Sequence, residues 1–178
     1  MSNLLKNTLT FLVLLLYISC RSNNQRETAD PNNAKVKKQM EEVNKILIKK
    51  DRQIIKGYIT RQGWDMKETK TGLWYQILSE GTGKQAETGW VAKINYSVKL
   101  LDGTLCYSSD NKGPKSFLIG QGNVASGLEQ GILLMKEGAR ARFIMPPHLA
   151  YGLIGDGDKI PARSIIVYDV ELISLSNK

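Results

Sequence analysis

Residues 90–104 read WVAKINYSVKLLDGT, and this stretch decides the fold class. Apolar and polar side chains alternate along it, a period of two that is typical of a strand with one buried face. The Asp102-Gly103 pair favours a tight hairpin turn, so the chain is expected to return through residues 104–108. The apolar face consists of Trp90, Ala92, Ile94, Tyr96, Val98 and Leu100.

Towards the C-terminus the sequence predicts further short strands and one helix. Ser126 and Glu129 form an S-x-x-E pattern that predicts a capping box at the helix start, and Gly138 predicts its end. Residues 146–163 form a long loop, and loops of that length are usually binding elements or disordered. The remaining strands are predicted at 73–78, 116–119, 139–145 and 164–175. We therefore expect an α+β domain in which about five antiparallel strands wrap one short helix and leave a shallow apolar pocket.

The first residues have the composition of an export signal. Lys6 precedes an apolar run, Leu9–Ile18, which is shorter than the roughly 20 residues that cross a bilayer. Residues 17–20, Tyr-Ile-Ser-Cys, resemble a bacterial lipobox, although Tyr17 stands where Leu is usual. This resemblance implies a signal peptide at 1–19 and a diacylated Cys20. A short anchor that is never cleaved is the alternative.

Three segments follow the predicted signal. Residues 20–33 are polar and lack apolar periodicity, which indicates a tether. Residues 34–63 carry apolar side chains spaced three and four apart, which predicts an amphipathic helical segment. That segment either packs on the next domain or forms a dimerising coil, so the chain is expected to be a monomer or a weak dimer. The globular domain is expected at 64–178.

The net charge of +8 is concentrated ahead of the predicted domain. Residues 21–70 hold 13 basic and 7 acidic side chains, a net charge of +6, whereas residues 71–178 carry only +1. This excess is either attracted to anionic lipid headgroups or is a solvated helix face. Because the basic residues alternate with acids and few aromatics accompany them, nucleic acid is not an expected partner.

Few catalytic classes fit the inventory of reactive side chains. His148 is the one histidine, and Cys106 lies in the middle of an apolar strand, so a Cys–His pair is disfavoured and a structural thiol is favoured. If Cys20 carries lipid, Cys106 has no disulfide partner within the chain. No metal-ligand cluster and no phosphate-binding glycine motif is present, so neither metal nor cofactor is expected. An apolar pocket without acid–base groups still suits prolyl isomerisation, which breaks no bond and crosses a barrier of roughly 18–20 kcal/mol.

Four stretches resemble the FKBP-type peptidyl-prolyl isomerases in the right order. They are GTG at 81–83, INYSVKLLDGT at 94–104, GLEQGILLMKEGARARFIMPPHLAYG at 127–152 and IPARSIIVYDVEL at 160–172. The resemblance implies an antiparallel half-barrel of five to six strands around one short helix. It also implies cis–trans isomerisation of X-Pro bonds in unfolded or exported polypeptides.

The same resemblance implies the site residues. Tyr96, Tyr107 and Tyr151 take the catalytic positions, and Tyr107 stands where the family commonly has Asp. Cys106 and Lys115 stand where pocket Phe residues are common, so weak activity is expected. The substrate-binding pocket is expected to consist of Cys106, Phe117, Val124, Ala125, Leu128, Ile160 and Tyr168.

The signal, the basic helix, GLWYQIL at 72–78 and DGTLCYSS at 102–109 are similar to gliding-motility-associated FKBP-type lipoproteins of Bacteroidetes. That resemblance implies a lipid-anchored isomerase of the cell envelope that faces the periplasm and serves a motility or secretion apparatus. Arg21 after the lipidated cysteine favours the outer membrane. The alternatives are a non-catalytic FKBP-fold chaperone or binding module, and a membrane-anchored spacer.

Overall fold

The computed structural model describes residues 31–177. The chain divides into two compact units between Glu42 and Val43. Within the first unit, residues 31–42 are helical. The second unit contains all the strands described below. None of the helices within residues 31–177 has both the length and the apolar character needed to span a membrane. The predicted signal peptide and Cys20 lie outside the described residues.

The described part of the second unit is an α+β fold built on one antiparallel sheet of seven strands, which confirms the predicted fold class. The strand order is β1-β2-β6-β7-β3-β4, and β5 pairs with the free part of β3. In chain order the elements are α1 (Pro31–Gln62), β1 (Lys67–Glu68), β2 (Trp74–Ser79), β3 (Trp90–Leu100), β4 (Leu105–Ser108), α2 (Ser109–Lys112), β5 (Lys115–Leu118), α3 (Ser126–Ile132), β6 (Arg140–Met145), a 3-10 turn (Pro147–Leu149) and β7 (Ile166–Asn177).

Strand β3 has the predicted bounds and the predicted buried face. Ala92, Ile94 and Val98 are fully buried, whereas Lys93 on the other face is exposed. The strand pairs with β7 along its whole length, from Trp90 opposite Asn177 to Leu100 opposite Ile166. The elements that the sequence did not predict are β1, α2 and the 3-10 turn, which are two, four and three residues long. Segments that short contain too few residues to show a period.

The capping box predicted at the start of α3 is wrong. The helix begins after Ala125, whose side chain makes no capping bond, and the Ser126 hydroxyl donates to the carbonyl of Leu149 at 3.4 Å. The Glu129 carboxylate accepts from the amides of Gly120 and Gly122 at 3.2 and 3.0 Å. The carboxylate therefore joins the preceding turn to the helix.

Helix α1 packs through a narrower face than the predicted stripe. Ile55 and Ile59 are buried and join Trp74, Ile144 and Val167 in a second apolar cluster on the sheet. The apolar residues of the second unit that remain exposed on this helix are Val43, Ile46, Ile48 and Ile54. The buried positions are spaced i, i+4, so only one row of side chains faces the sheet.

Gly131 of α3 offers a test of the packing between helix and sheet. A methyl group at this position would lie 2.7 Å from the Phe143 ring, whereas one at Gly57 of α1 would meet only Arg61 at 3.4 Å. Gly131→Ala should destabilise the fold by about 1–3 kcal/mol through overpacking. Gly57→Ala, the matched control, should stabilise it by up to about 1 kcal/mol because alanine favours helix. Denaturant unfolding of both variants decides the point, and equal stabilities would contradict the packing described.

Candidate functional site

A cavity of about 270 Å³ lies where β3, β4, β5 and β7 meet the loop that follows Tyr151. Its lining consists of Tyr96, Tyr107, Lys112, Lys115, Tyr151, Asp156 and Tyr168. A second cavity of similar volume lies along the polar face of the sheet, where Arg140 pairs with Glu171 and Arg142 with Asp169. Because those charges already neutralise each other, the tyrosine-lined cavity is the better candidate site.

All ten side chains predicted for the site belong to one apolar cluster. Cys106, Phe117, Leu128, Ile160 and Tyr168 are buried in it. The other five are partly buried and pack against it: Tyr96, Tyr107, Val124, Ala125 and Tyr151. Only Tyr96, Tyr107, Tyr151 and Tyr168 line the cavity itself. The remaining six belong to or pack against the cluster without lining the cavity.

Three tyrosines dominate the interior of the pocket. The rings of Tyr96 and Tyr168 lie with their centroids 6.0 Å apart at an interplanar angle of 31°. Burial raises the pKa of the Tyr168 hydroxyl and that of Tyr151 above the ordinary value of 10.0. Both hydroxyls are therefore protonated at neutral pH and available as hydrogen-bond donors.

Cys106 has the surroundings of a wall residue. Its side chain is only 2% exposed, and its sulfur lies 3.6 Å from the carbonyl oxygen of Lys159 and 3.8 Å from that of Thr104. Burial raises the pKa of the thiol, so it stays protonated at neutral pH. His148 is paired elsewhere, with the carbonyl of Thr71 at 3.0 Å. These contacts give no Cys–His pair.

A carboxylate enters the pocket from the loop. The Tyr107 hydroxyl donates a hydrogen bond to Asp156, whose other oxygen accepts from the amides of Asp158 at 3.0 Å and Ile160 at 2.8 Å. Burial alone would raise the pKa of the Asp156 carboxyl, but these hydrogen bonds outweigh it and hold the pKa below its usual value. The hydrogen bond to Asp156 is also the main reason that the pKa of Tyr107 is raised. The pocket thus contains an ionised carboxylate although residue 107 is a tyrosine.

Cations surround the ring of Tyr107. The ammonium groups of Lys112 and Lys159 lie 4.6 and 5.7 Å from the ring centroid. The short helix α2 places Lys112 there, because Ser108 caps its start by accepting from the amide of Asp110 at 3.1 Å. Stacking of a cation on an aromatic face contributes about 0.5–1 kcal/mol at exposed sites. The Tyr107 side chain is therefore held by contacts at both its hydroxyl and its ring.

Sequence reasoning missed two groups that line the cavity, Lys112 and Asp156. Lys112 lies on α2, which the sequence did not predict. The signal for Asp156 was the Asp-Gly-Asp turn at 156–158, the one acidic stretch in the long loop. That stretch is the available source of a carboxylate to replace the one missing at Tyr107. The sequence does not show that the two residues meet, because they lie 49 positions apart.

The arrangement suits binding and desolvation more than proton transfer. The hydroxyls of Tyr107, Tyr151 and Tyr168 and the thiol of Cys106 have raised pKa values, so these four groups do not release a proton near neutral pH. Within residues 31–177, no group of three His, Cys, Asp or Glu side chains is placed to hold a metal ion. What remains is a cavity lined by four tyrosine rings and three charged side chains, with the apolar cluster packed behind it.

Comparisons with known proteins agree with this geometry. A probable FKBP-type peptidyl-prolyl cis-trans isomerase from Neisseria meningitidis serogroup B is 40% identical over 111 residues, which cover 62% of this chain and 40% of the relative. FK506-binding protein 2 from Yarrowia lipolytica is 37% identical over 113 residues, which cover 63% of this chain and 78% of that protein. The crystal structure of FkpA from Escherichia coli superposes with a TM-score of 0.63 at 27% identity, covering 84% of this chain and 75% of that one.

The chain spans less than half the length of the first bacterial relatives it matches. Residues 82–173, which include all the cavity-lining side chains, match the model of one family, described as FKBP-type peptidyl-prolyl cis-trans isomerase. On this match over more than half of its length, the chain belongs to the FKBP-type peptidyl-prolyl cis-trans isomerase family.

Proposed function

We propose that the chain catalyses cis–trans isomerisation of X-Pro bonds in unfolded or exported polypeptides. The observation that carries the proposal is the cavity lined by four tyrosines, which pack against or belong to the apolar cluster. Resonance makes the planar amide more dipolar than the twisted one, so water stabilises the planar form more. A pocket that removes the prolyl amide from water therefore favours the twisted transition state. The uncatalysed step takes 10–100 s, which is slow enough to limit folding.

Each wall has a role in this proposal. The prolyl ring enters between Tyr96, Phe117 and Tyr168, with Leu128 as the floor and Ile160 as the far wall. The backbone at Val124 and Ala125 meets the peptide ahead of α3. Tyr151 lies in a loop and is only partly buried, so its hydroxyl is free to donate to a substrate carbonyl.

We further propose that Asp156 supplies the negative charge that the strand lacks at Tyr107. Its support is the set of hydrogen bonds that keeps this carboxylate ionised beside the tyrosine rings. Weak activity is part of the proposal. Cys106 fills less of the wall than an aromatic ring would, and Lys115 brings a charge to the lining.

The second candidate function is a non-catalytic chaperone or binding module. The observation in its favour is the number of charged and polar groups in the cavity, where Lys112, Lys115 and Asp156 lie beside Tyr107. A prolyl ring binds less favourably to such a lining than to an apolar lining, because charged groups lose hydration when an apolar ligand displaces water. Binding at the rim would remain possible.

We also propose a location in the cell envelope, through a lipid at Cys20 and facing the periplasm, in the outer membrane. The support is the lipobox-like stretch and Arg21 after it. We propose that its clients belong to a gliding-motility or secretion apparatus. This part of the proposal rests on the resemblance carried by the signal, the basic helix and the GLWYQIL and DGTLCYSS stretches. A weak dimer through α1 is part of the same proposal, supported by apolar residues such as Ile46 that remain exposed on the helix.

The catalytic proposal predicts that the 178-residue chain accelerates isomerisation of Leu-Pro and Phe-Pro peptides. Tyr151→Phe should slow the reaction about two- to tenfold, because a neutral hydrogen bond is worth about 0.5–1.5 kcal/mol and a tenfold rate change about 1.36 kcal/mol. Tyr58→Phe is the matched control, since Tyr58 packs on Trp64 away from the pocket. A chain that leaves peptides at the spontaneous rate yet suppresses aggregation of an unfolded client would favour the binding module instead.

The role of Asp156 is tested by Asp156→Asn. We expect kcat/KM to fall about tenfold, since hydrogen bonds to charged groups are worth about 1.5–3 kcal/mol. Asp158→Asn is the control because Asp158 contacts Tyr107 at 3.2 Å but does not line the cavity. Equal rates for the two variants would show that the loop carboxylate in the cavity has no catalytic part.

The lipid anchor is tested by mass spectrometry of the mature protein from its native membrane. The expected N-terminal residue is Cys20 with a diacylglycerol mass, and Cys20→Ser should abolish that mass. An intact Met1, or a cleavage site elsewhere, would contradict the predicted lipidation.

A further inference from the structure

The loop at residues 152–163 carries Asp156, which lines the cavity, and Ile160, which is buried in the apolar cluster. The two ends of this loop, which we call its neck, are joined by a hydrogen bond from the amide of Arg163 to the carbonyl of Gly152 at 3.0 Å. Inside the loop, the amide of Asp156 donates to the carbonyl of Ile160 at 3.1 Å, and the amide of Ile160 donates back to the Asp156 carboxylate at 2.8 Å. These bonds join the two ends of the loop and hold Asp156 and Ile160 together within it.

Arg163 holds an unfavourable backbone conformation at this neck. Its φ is +57°, and among residues 31–177 it is the one residue other than glycine with a positive φ. Side chains with a Cβ disfavour this left-handed region because of contacts with the backbone. A glycine at position 163 would adopt it without strain. Some other contact must stabilise the neck while an arginine occupies it.

That contact comes from α1. One guanidinium nitrogen of Arg163 donates to both carboxylate oxygens of Asp51, each at 3.0 Å. Asp51 is 7% exposed, whereas the side chain of Arg163 is 32% exposed, so the carboxylate is buried and its partner is only partly so. A buried carboxylate is costly without a cationic partner, which binds the two residues to each other. Asp51 lies outside residues 82–173 that match the family.

We propose that Asp51 is a positioning residue for the pocket, acting through Arg163 to hold the 152–163 loop with Asp156 lining the cavity and Ile160 buried in the apolar cluster. The helix ahead of the family segment then takes part in shaping the site. The catalytic consequence rests on the proposed isomerase function, whereas the effect on the loop does not.

Amide hydrogen exchange in the full chain tests the loop directly. Asp51→Asn should speed exchange of the Arg163, Asp156 and Ile160 amides at least tenfold and leave that of Ile94 in β3 unchanged. Arg52→Gln is the matched control: Arg52 is the next residue of α1 and pairs with Glu68 at 2.8 Å, away from the loop. It should change none of these amides. Unchanged loop exchange in Asp51→Asn would overturn the proposal, as would an equal increase at Ile94.

The route through Arg163 is tested in an Arg163→Gly background. Because glycine needs no support at this φ, Asp51→Asn should there change loop exchange less than twofold. A full tenfold effect would mean that Asp51 acts by another route and would overturn the proposal. If Asp51→Asn does not fold, Arg163→Gln tests the same link from the loop, with the same expected increase at Asp156 and Ile160.

Kinetics then separate this proposal from the proposed function. If the parent chain is an isomerase, Asp51→Asn should lower kcat/KM at least threefold and Arg52→Gln should not. Equal rates for the two variants would overturn the positioning role. If the parent chain has no isomerase activity, the proposed function fails, and the exchange experiment still decides whether Asp51 positions the loop.

Discussion

The pairing of β3 with β7 is the constraint on which the rest of the structure depends. These two long strands meet along eleven register pairs, from Trp90–Asn177 to Leu100–Ile166. Strand β7 also pairs with β6, and β3 pairs with β4 and β5. Strands β4, β5 and β6 are therefore each paired directly with one of these two strands. Tyr96 and Tyr168 come from its two members, which brings their rings together without help from any loop. The Tyr96–Tyr168 part of the pocket therefore depends on the register of this strand pair.

The polar part of the pocket is built differently. Asp156 belongs to a loop, and it reaches the cavity because Tyr107 and two backbone amides bind its carboxylate. Burial opposes its charge and the hydrogen bonds favour it, so its ionisation depends on the loop staying closed. A carboxylate on a strand would not depend on a loop in this way. The tyrosine at position 107 has thus not removed the charge from the site, because its hydroxyl holds a carboxylate that comes from another part of the chain.

Helix α1 joins the domain through two kinds of contact. Ile55 and Ile59 bury apolar surface against the sheet. This burial stabilises the fold, but the interaction is not directional. The Asp51–Arg163 pair is directional and reaches the neck of the pocket loop. Apolar burial fixes the helix on the sheet, whereas the ion pair connects it to one particular residue. The same helix can for this reason be a stabilising element and a part of the site.

The sequence by itself determined the parts that depend on period and turn chemistry. Alternation through residues 90–100 gave β3 its bounds and its buried face, and the motifs at 81–83, 94–104, 127–152 and 160–172 indicated the family. Contacts between distant residues were decided by tertiary structure alone. The sequence paired Glu129 with Ser126 in a capping box, yet in the fold its carboxylate binds the amides of Gly120 and Gly122.

The site divides in the same way. The ten side chains expected from motif positions lie in one cluster, since each follows from its register on a strand, helix or loop start. Asp156 and Lys112 were missed because each enters the cavity from outside the recognised motifs, one through a loop and one through a four-residue helix. The link between Asp51 and Arg163 spans 112 residues and leaves no periodic trace in the sequence. Local sequence patterns indicate which face of an element is buried. Only the folded structure determines which charged residue from a distant part of the chain contacts that element.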